Sequence, residues 1–76
     1  MNIERDLGTQ PITAVLDRLQ LTAGDLVQAS DEQLTYKMVA RAIKGRRLTG
    51  RAQEKVLRAV NRAADQTFAK TDLFNY

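Results

Sequence analysis

Apolar residues return every three or four positions along most of this 76-residue chain, and that helical period leaves little room for strands. Pro11 suits a first helical position, and Ile12, Val15, Leu16 and Leu19 follow on one side, so a first helix ends near Gln20. Thr22 and Asp25 have the spacing of a capping box and open a short second helix with Leu26, Val27 and Ala29, weakened by Gly24. For the third helix two N-cap signals compete, Ser30 with Gln33 and, a turn later, Thr35. It runs to Lys44, because Gly45 suits the left-handed residue that ends a helix. A fourth helix extends from about Gly50 to Ala64 behind a Thr49 cap, with Ala52, Val56, Ala59, Val60 and Ala63 as its apolar stripe. After Asp65 the period loosens, and Thr71, Asp72, Leu73 and Phe74 read as a single capped turn that folds an aromatic back onto the bundle. The expected fold is all-α, a compact bundle of four helices plus a short C-terminal helical turn, built from residues 10–76. Residues 1–9 show no period and are expected to form a flexible N-terminal arm.

A chain this short holds one small domain and lies near the lower limit for an unaided apolar core. It contains no Cys and no His, which removes disulfides, thiolate zinc sites and every imidazole-based nucleophile or base. The N-terminal acids fall singly or at helix starts, where they complement the helix dipole; the one adjacent pair, Asp31 and Glu32, reads as first-turn helix stabilisation. The four glycines stand alone and match neither a P-loop nor a dinucleotide fingerprint. No enzymatic activity, catalytic residue, metal site, cofactor or small-molecule substrate is therefore expected. The opening MNIERDLGTQ places Glu4, Arg5 and Asp6 where a signal peptide needs an apolar run, and no stretch approaches the ~20 residues of a membrane span. A cytoplasmic protein with no membrane partner is expected.

Charge is segregated along the chain. Residues 36–62 hold nine of the twelve Lys and Arg and one acid, Glu54, a local charge of +8, whereas residues 1–35 carry two bases and six acids. Such a gradient points to a polyanionic partner, with a merely solvated basic helix face as the alternative. The third helix sharpens the choice. On a helical wheel Leu34, Met38, Ala42, Val39 and Ile43 fall on one half, and Tyr36, Ala40, Lys44, Lys37 and Arg41 on the other. Two short helices joined by a turn, the second basic on its polar face, can lay that second helix in the ~12 Å major groove of duplex DNA. Lys37, Arg41 and Lys44 then reach base edges or phosphates, and Ala40 allows close approach or meets a thymine methyl. Tyr36 on the same face contacts a base edge or a phosphate, unless it packs on a neighbouring helix. Thr49 and Gly50 offer a helix N-terminus to a phosphate oxygen, and Arg46 and Arg47 extend the positive surface beside it.

The runs LTAGDLVQAS, LTYKMVARAIKGRRLTGRAQEKVLRAVN and KTDLF, within residues 11–74, resemble the lambda-repressor-like (Cro and repressor type) helix-turn-helix domains of bacterial and phage regulators. Those domains share a Leu-Thr that opens the scaffold helix, an apolar turn residue, a recognition helix closing at Gly beside basic residues, and a Thr- or Ser-capped fourth helix. The resemblance implies that Leu21 and Thr22 open the scaffold helix and that Leu34 is the buried turn residue. It also puts Thr35, Tyr36 and Lys37 at the contacting start of the recognition helix, and Ala40 and Arg41 on its second contacting turn. The chain departs from the pattern between Ser30 and Leu34, where it has about two residues more than the usual tight turn and lacks the common Gly. The function implied is sequence-specific binding of double-stranded DNA by a small transcriptional regulator associated with the nucleoid. The competing expectation is a protein-interaction module, antitoxin-like or adaptor, that docks an acidic partner through the same basic face. RNA comes third, because aromatic stacking platforms are few. Phe74 and Tyr76 either cap the core or seed a homodimer.

Overall fold

A computed structural model describes residues 8–76, so most of the expected N-terminal arm lies outside the described residues. Five helices follow in order: α1 Pro11–Leu19, α2 Ala23–Ala29, α3 Tyr36–Ile43, α4 Gly50–Ala64 and α5 Lys70–Leu73. Among the described residues there is no strand, so the all-helical expectation is met.

Caps explain most of the boundaries. Thr22 and Asp25 form the reciprocal box read from the sequence: the Asp25 N–H donates to Thr22 Oγ1 at 3.2 Å and the Thr22 N–H to Asp25 Oδ2 at 2.8 Å. The rivalry at α3 falls to Thr35, whose Oγ1 accepts the Met38 N–H at 3.1 Å. Ser30 ends α2 instead, and its hydroxyl accepts the Glu32 N–H at 3.1 Å inside the linker. Thr49 caps α4 through the Ala52 N–H at 3.1 Å. At the last turn the expectation needs correcting, since Thr71 is not the cap. Ala69 occupies that position, and having no side-chain acceptor it contributes only its N–H, donated to Asp72 Oδ2 at 2.8 Å.

α4 is the central strut, packed against α2, α3 and α5, while α1 packs against α3 and α5. Ile12, Leu26, Val39, Val56, Val60 and Leu73 have no accessible surface and form the middle of the core, joined by Leu34, Leu48 and Phe74. Phe74, which the sequence left between core and dimer contact, is 2 % exposed and packs in the core. Gly45 has φ +81° and could not be another residue without rearrangement, because a Cβ there would lie 1.9 Å from the Gly8 carbonyl oxygen.

Polar side chains fasten the ends of this core. Gln10 is buried, and its Oε1 accepts the Asn75 N–H at 2.8 Å while its Nε2 donates to the Gly8 carbonyl at 3.2 Å. Asn61, near the end of α4, clasps the chain before α5. Its Oδ1 accepts the Phe68 N–H at 2.7 Å and its Nδ2 donates to the Phe68 carbonyl at 3.3 Å. No buried side-chain polar atom among the described residues lacks a partner. Among those residues no helix is long and apolar enough to cross a membrane.

Candidate nucleic-acid interface

α3 and α4 begin close together, and between their N-termini lies an open groove of about 290 Å³. Thr35, Lys37, Met38 and Arg41 line it from α3 and its cap, and Arg47, Leu48, Thr49 and Ala52 from the connector and α4. Its lining combines the apolar Met38, Leu48 and Ala52 with the cationic Lys37, Arg41 and Arg47. The first N–H groups of each helix have no intrahelical acceptor, so both helices add the positive ends of their dipoles to the same concavity. Thr35 and Thr49 use their oxygens to cap, but each hydroxyl keeps its proton to donate outward.

Five of the nine residues singled out for DNA contact are thus brought together: Thr35, Lys37, Arg41, Arg47 and Thr49. The other four lie outside the groove. Lys44 and Arg46 are exposed at the end of α3 and the start of the connector, and Ala40 is half-buried. Tyr36 remains 61 % exposed yet leans on α2, so that a methyl built on Gly24 would lie 3.2 Å from its hydroxyl and 3.7 Å from Cε1. The expected packing on a neighbouring helix is met at the phenol, and the residue is otherwise largely exposed.

The sequence misplaced the acidic pair. Asp31 and Glu32 sit in the linker before α3, not in the first turn of a helix, and both reach across to α4. Glu32 takes a fork from Arg58, Nε to Oε2 at 2.5 Å and Nη2 to Oε1 at 2.7 Å, and Arg62 Nη1 meets Asp31 Oδ2 at 3.0 Å. Glu54 adds a longer contact to Arg58 at 3.6 Å. These pairs hold the linker that carries Leu34 against α4, and they remove Arg58 and Arg62 from the charge offered to a partner. Nothing local announces them, since 26 and 31 residues separate the partners. Lys37, Arg41, Lys44, Arg46, Arg47, Arg51 and Lys55 make no ion pair among the described residues.

The Arg58 hydrogen bonds hold the Glu32 carboxyl below its usual range, against the smaller opposing effect of desolvation, with Coulombic help from Arg58, Lys55 and Arg62. Arg58 is shifted up by the same hydrogen bonds, as a shared pair requires. A carboxyl with a depressed folded pKa stabilises the fold above its unfolded pKa, and that contribution is lost as pH falls through the folded value. Melting temperature in the Glu32→Gln variant should therefore fall less between about pH 6 and pH 3 than in the parent chain. Parallel pH profiles for the two proteins would show that the fork does not act on stability. The pair is solvent-accessible, so the effect is small and weakens with salt.

Among the described residues no group of three or more Asp and Glu is arranged to hold a metal ion. Comparison with known proteins adds no identity: no family model, no curated protein and no solved structure matches this chain.

Proposed function

We propose that this chain binds duplex DNA sequence-specifically and acts as a small transcriptional regulator, with α2 and α3 as a helix-turn-helix and α3 in the major groove. The observation that carries the reading is a groove at two helix N-termini lined by Lys37, Arg41 and Arg47, which, like Lys44, Arg46, Arg51 and Lys55 nearby in the chain, make no ion pair among the described residues. A polyphosphate backbone matches that combination, because charge and backbone donors both favour phosphate oxygens. The eight residues of α3 make a rod of about 12 Å, short enough to lie in the groove while the groove rim between α3 and α4 grips the adjacent strand. The regulatory role rests on the resemblance to lambda-repressor-like domains, and so does association with the nucleoid.

Two arginines separate base reading from backbone positioning. Arg41 is exposed on α3 one turn beyond Lys37, where a guanidinium can fork onto O6 and N7 of a guanine; Arg47, in the connector, has phosphate as its nearer partner. On a site selected from a random duplex library, Arg41→Ala should lose about 1 to 3 kcal/mol of discrimination against a single-base variant. Arg47→Ala should weaken every duplex by a similar factor. Equal losses on all duplexes from both variants would make Arg41 a phosphate contact as well. Failure of the parent chain to bind any duplex at ~50 mM salt, with saturable binding to an acidic protein, would replace the proposal with the docking module.

A further inference from the structure

Residues 44–49 separate α3 from α4, and within them the backbone of Arg46 and Leu48 is fastened by hydrogen bonds. The Leu48 N–H donates to Tyr76 Oη at 2.9 Å, and the Leu48 carbonyl accepts from Gln53 Nε2 at 3.1 Å. The Arg46 N–H returns to the Arg41 carbonyl at 2.9 Å, and the Tyr76 hydroxyl proton faces the Arg46 carbonyl at 3.5 Å, a longer and weaker contact. Tyr76 is itself braced: its ring centroid lies 5.8 Å from that of the buried Phe74, and the Asn75 N–H is held by Gln10. Against this anchoring, the Arg46 and Arg47 side chains are exposed and make no ion pair among the described residues.

A loop that must be ordered on binding loses affinity to the entropy of ordering, and a loop already fixed does not. The ties to Leu48 and Arg46 fix the points from which two guanidinium groups leave the surface. We propose that Tyr76 is a positioning residue for the DNA interface: its hydroxyl, 28 residues away in sequence, holds the connector so that Arg46 and Arg47 meet the phosphate backbone without first being ordered. The inference rests on the DNA-binding reading for its function but not for its structural half. In this role Tyr76 acts only through the two arginines.

Tyr76→Phe removes one oxygen and keeps the ring on Phe74. Measured by fluorescence anisotropy at a temperature where circular dichroism shows both proteins folded, it should weaken binding by about three- to ten-fold on the selected site and on its single-base variants alike. In the Arg46→Ala, Arg47→Ala background the same change should cost nothing further, because the groups it positions are gone. Hydrogen exchange of the Leu48 amide should accelerate in the free variant. Unchanged affinity, an altered base preference, or a full loss persisting without the arginines would each overturn the positioning role, even if the melting temperature falls. Should the parent chain bind no duplex, the exchange measurement still decides whether Tyr76 holds the connector, and unchanged exchange would overturn that too.

Discussion

Raising salt from about 50 to about 200 mM should weaken duplex binding by on the order of a thousand-fold, because each neutralised phosphate releases condensed counterions. The ion pairs set a ceiling on the slope. Nine bases lie between residues 36 and 62, but Arg58 and Arg62 are occupied by Glu32 and Asp31. The seven others allow a slope no steeper than about −6 on a logarithmic plot, at roughly −0.9 per phosphate. Arg47→Ala should make the slope shallower by about one unit, whereas Arg58→Ala should leave it unchanged and act on stability alone. Anisotropy titrations of the three proteins over that salt range measure all of this. A flat slope removes the polyphosphate reading, and an Arg58→Ala slope shallower by a full unit would mean that the linker carboxylates release Arg58 when DNA binds.

Leu34→Ala should cost about 2 to 5 kcal/mol, a large share of the stability available to so small a domain. Leu34 is 6 % exposed, and it belongs to the linker rather than to a helix, so it is the apolar peg that seats the segment between α2 and α3 in the core. Its backbone is turned by the Leu34 N–H donating to the Glu32 carbonyl at 2.9 Å, two residues beyond Glu32, the second of the two acids that contact α4. Removing three carbons of packing there leaves the linker held to α4 mainly by exposed ion pairs, which contribute little. The melting temperature should drop by at least about 8 °C, with DNA binding weakened only through the unfolded fraction. An unchanged melting temperature would mean that the electrostatic contacts, and not Leu34, hold the linker. Loss of DNA binding by fully folded protein would instead point to a tilted α3.

The candidate site was legible wherever it depends on residues close in sequence. Lys37 and Arg41 were readable from the polarity of one helix, Thr35 and Thr49 as helix caps, and Arg47 from the basic run before the second cap. That α3 and α4 start beside each other, so that these residues share one groove, is a matter of how α4 crosses the bundle. The direction of Tyr36 likewise depends on Gly24 of α2, a neighbour twelve positions earlier that offers no Cβ to push the phenol away.

Helix boundaries on the sequence side were decided by interactions spanning three or four residues. The Thr22 and Asp25 box, the Thr49 cap, the bounds of α4 and the left-handed Gly45 all came from such local chemistry, because a cap and the group it satisfies travel together in the chain. Tertiary structure decided what local chemistry left balanced or invisible. Ser30 and Thr35 were equal as caps until burial of Leu34 between them fixed where the helix could begin. Asp31 and Glu32 look like first-turn acids until α4 brings Arg58 and Arg62 alongside. Gln10 and Tyr76 carry no signal of their own, since each becomes structural only when chain closure puts an unpaired backbone N–H, of Asn75 or Leu48, within its reach. An amphipathic period can state which face is buried; which distant charge or backbone group will then need a partner follows only from the packed arrangement of all five helices.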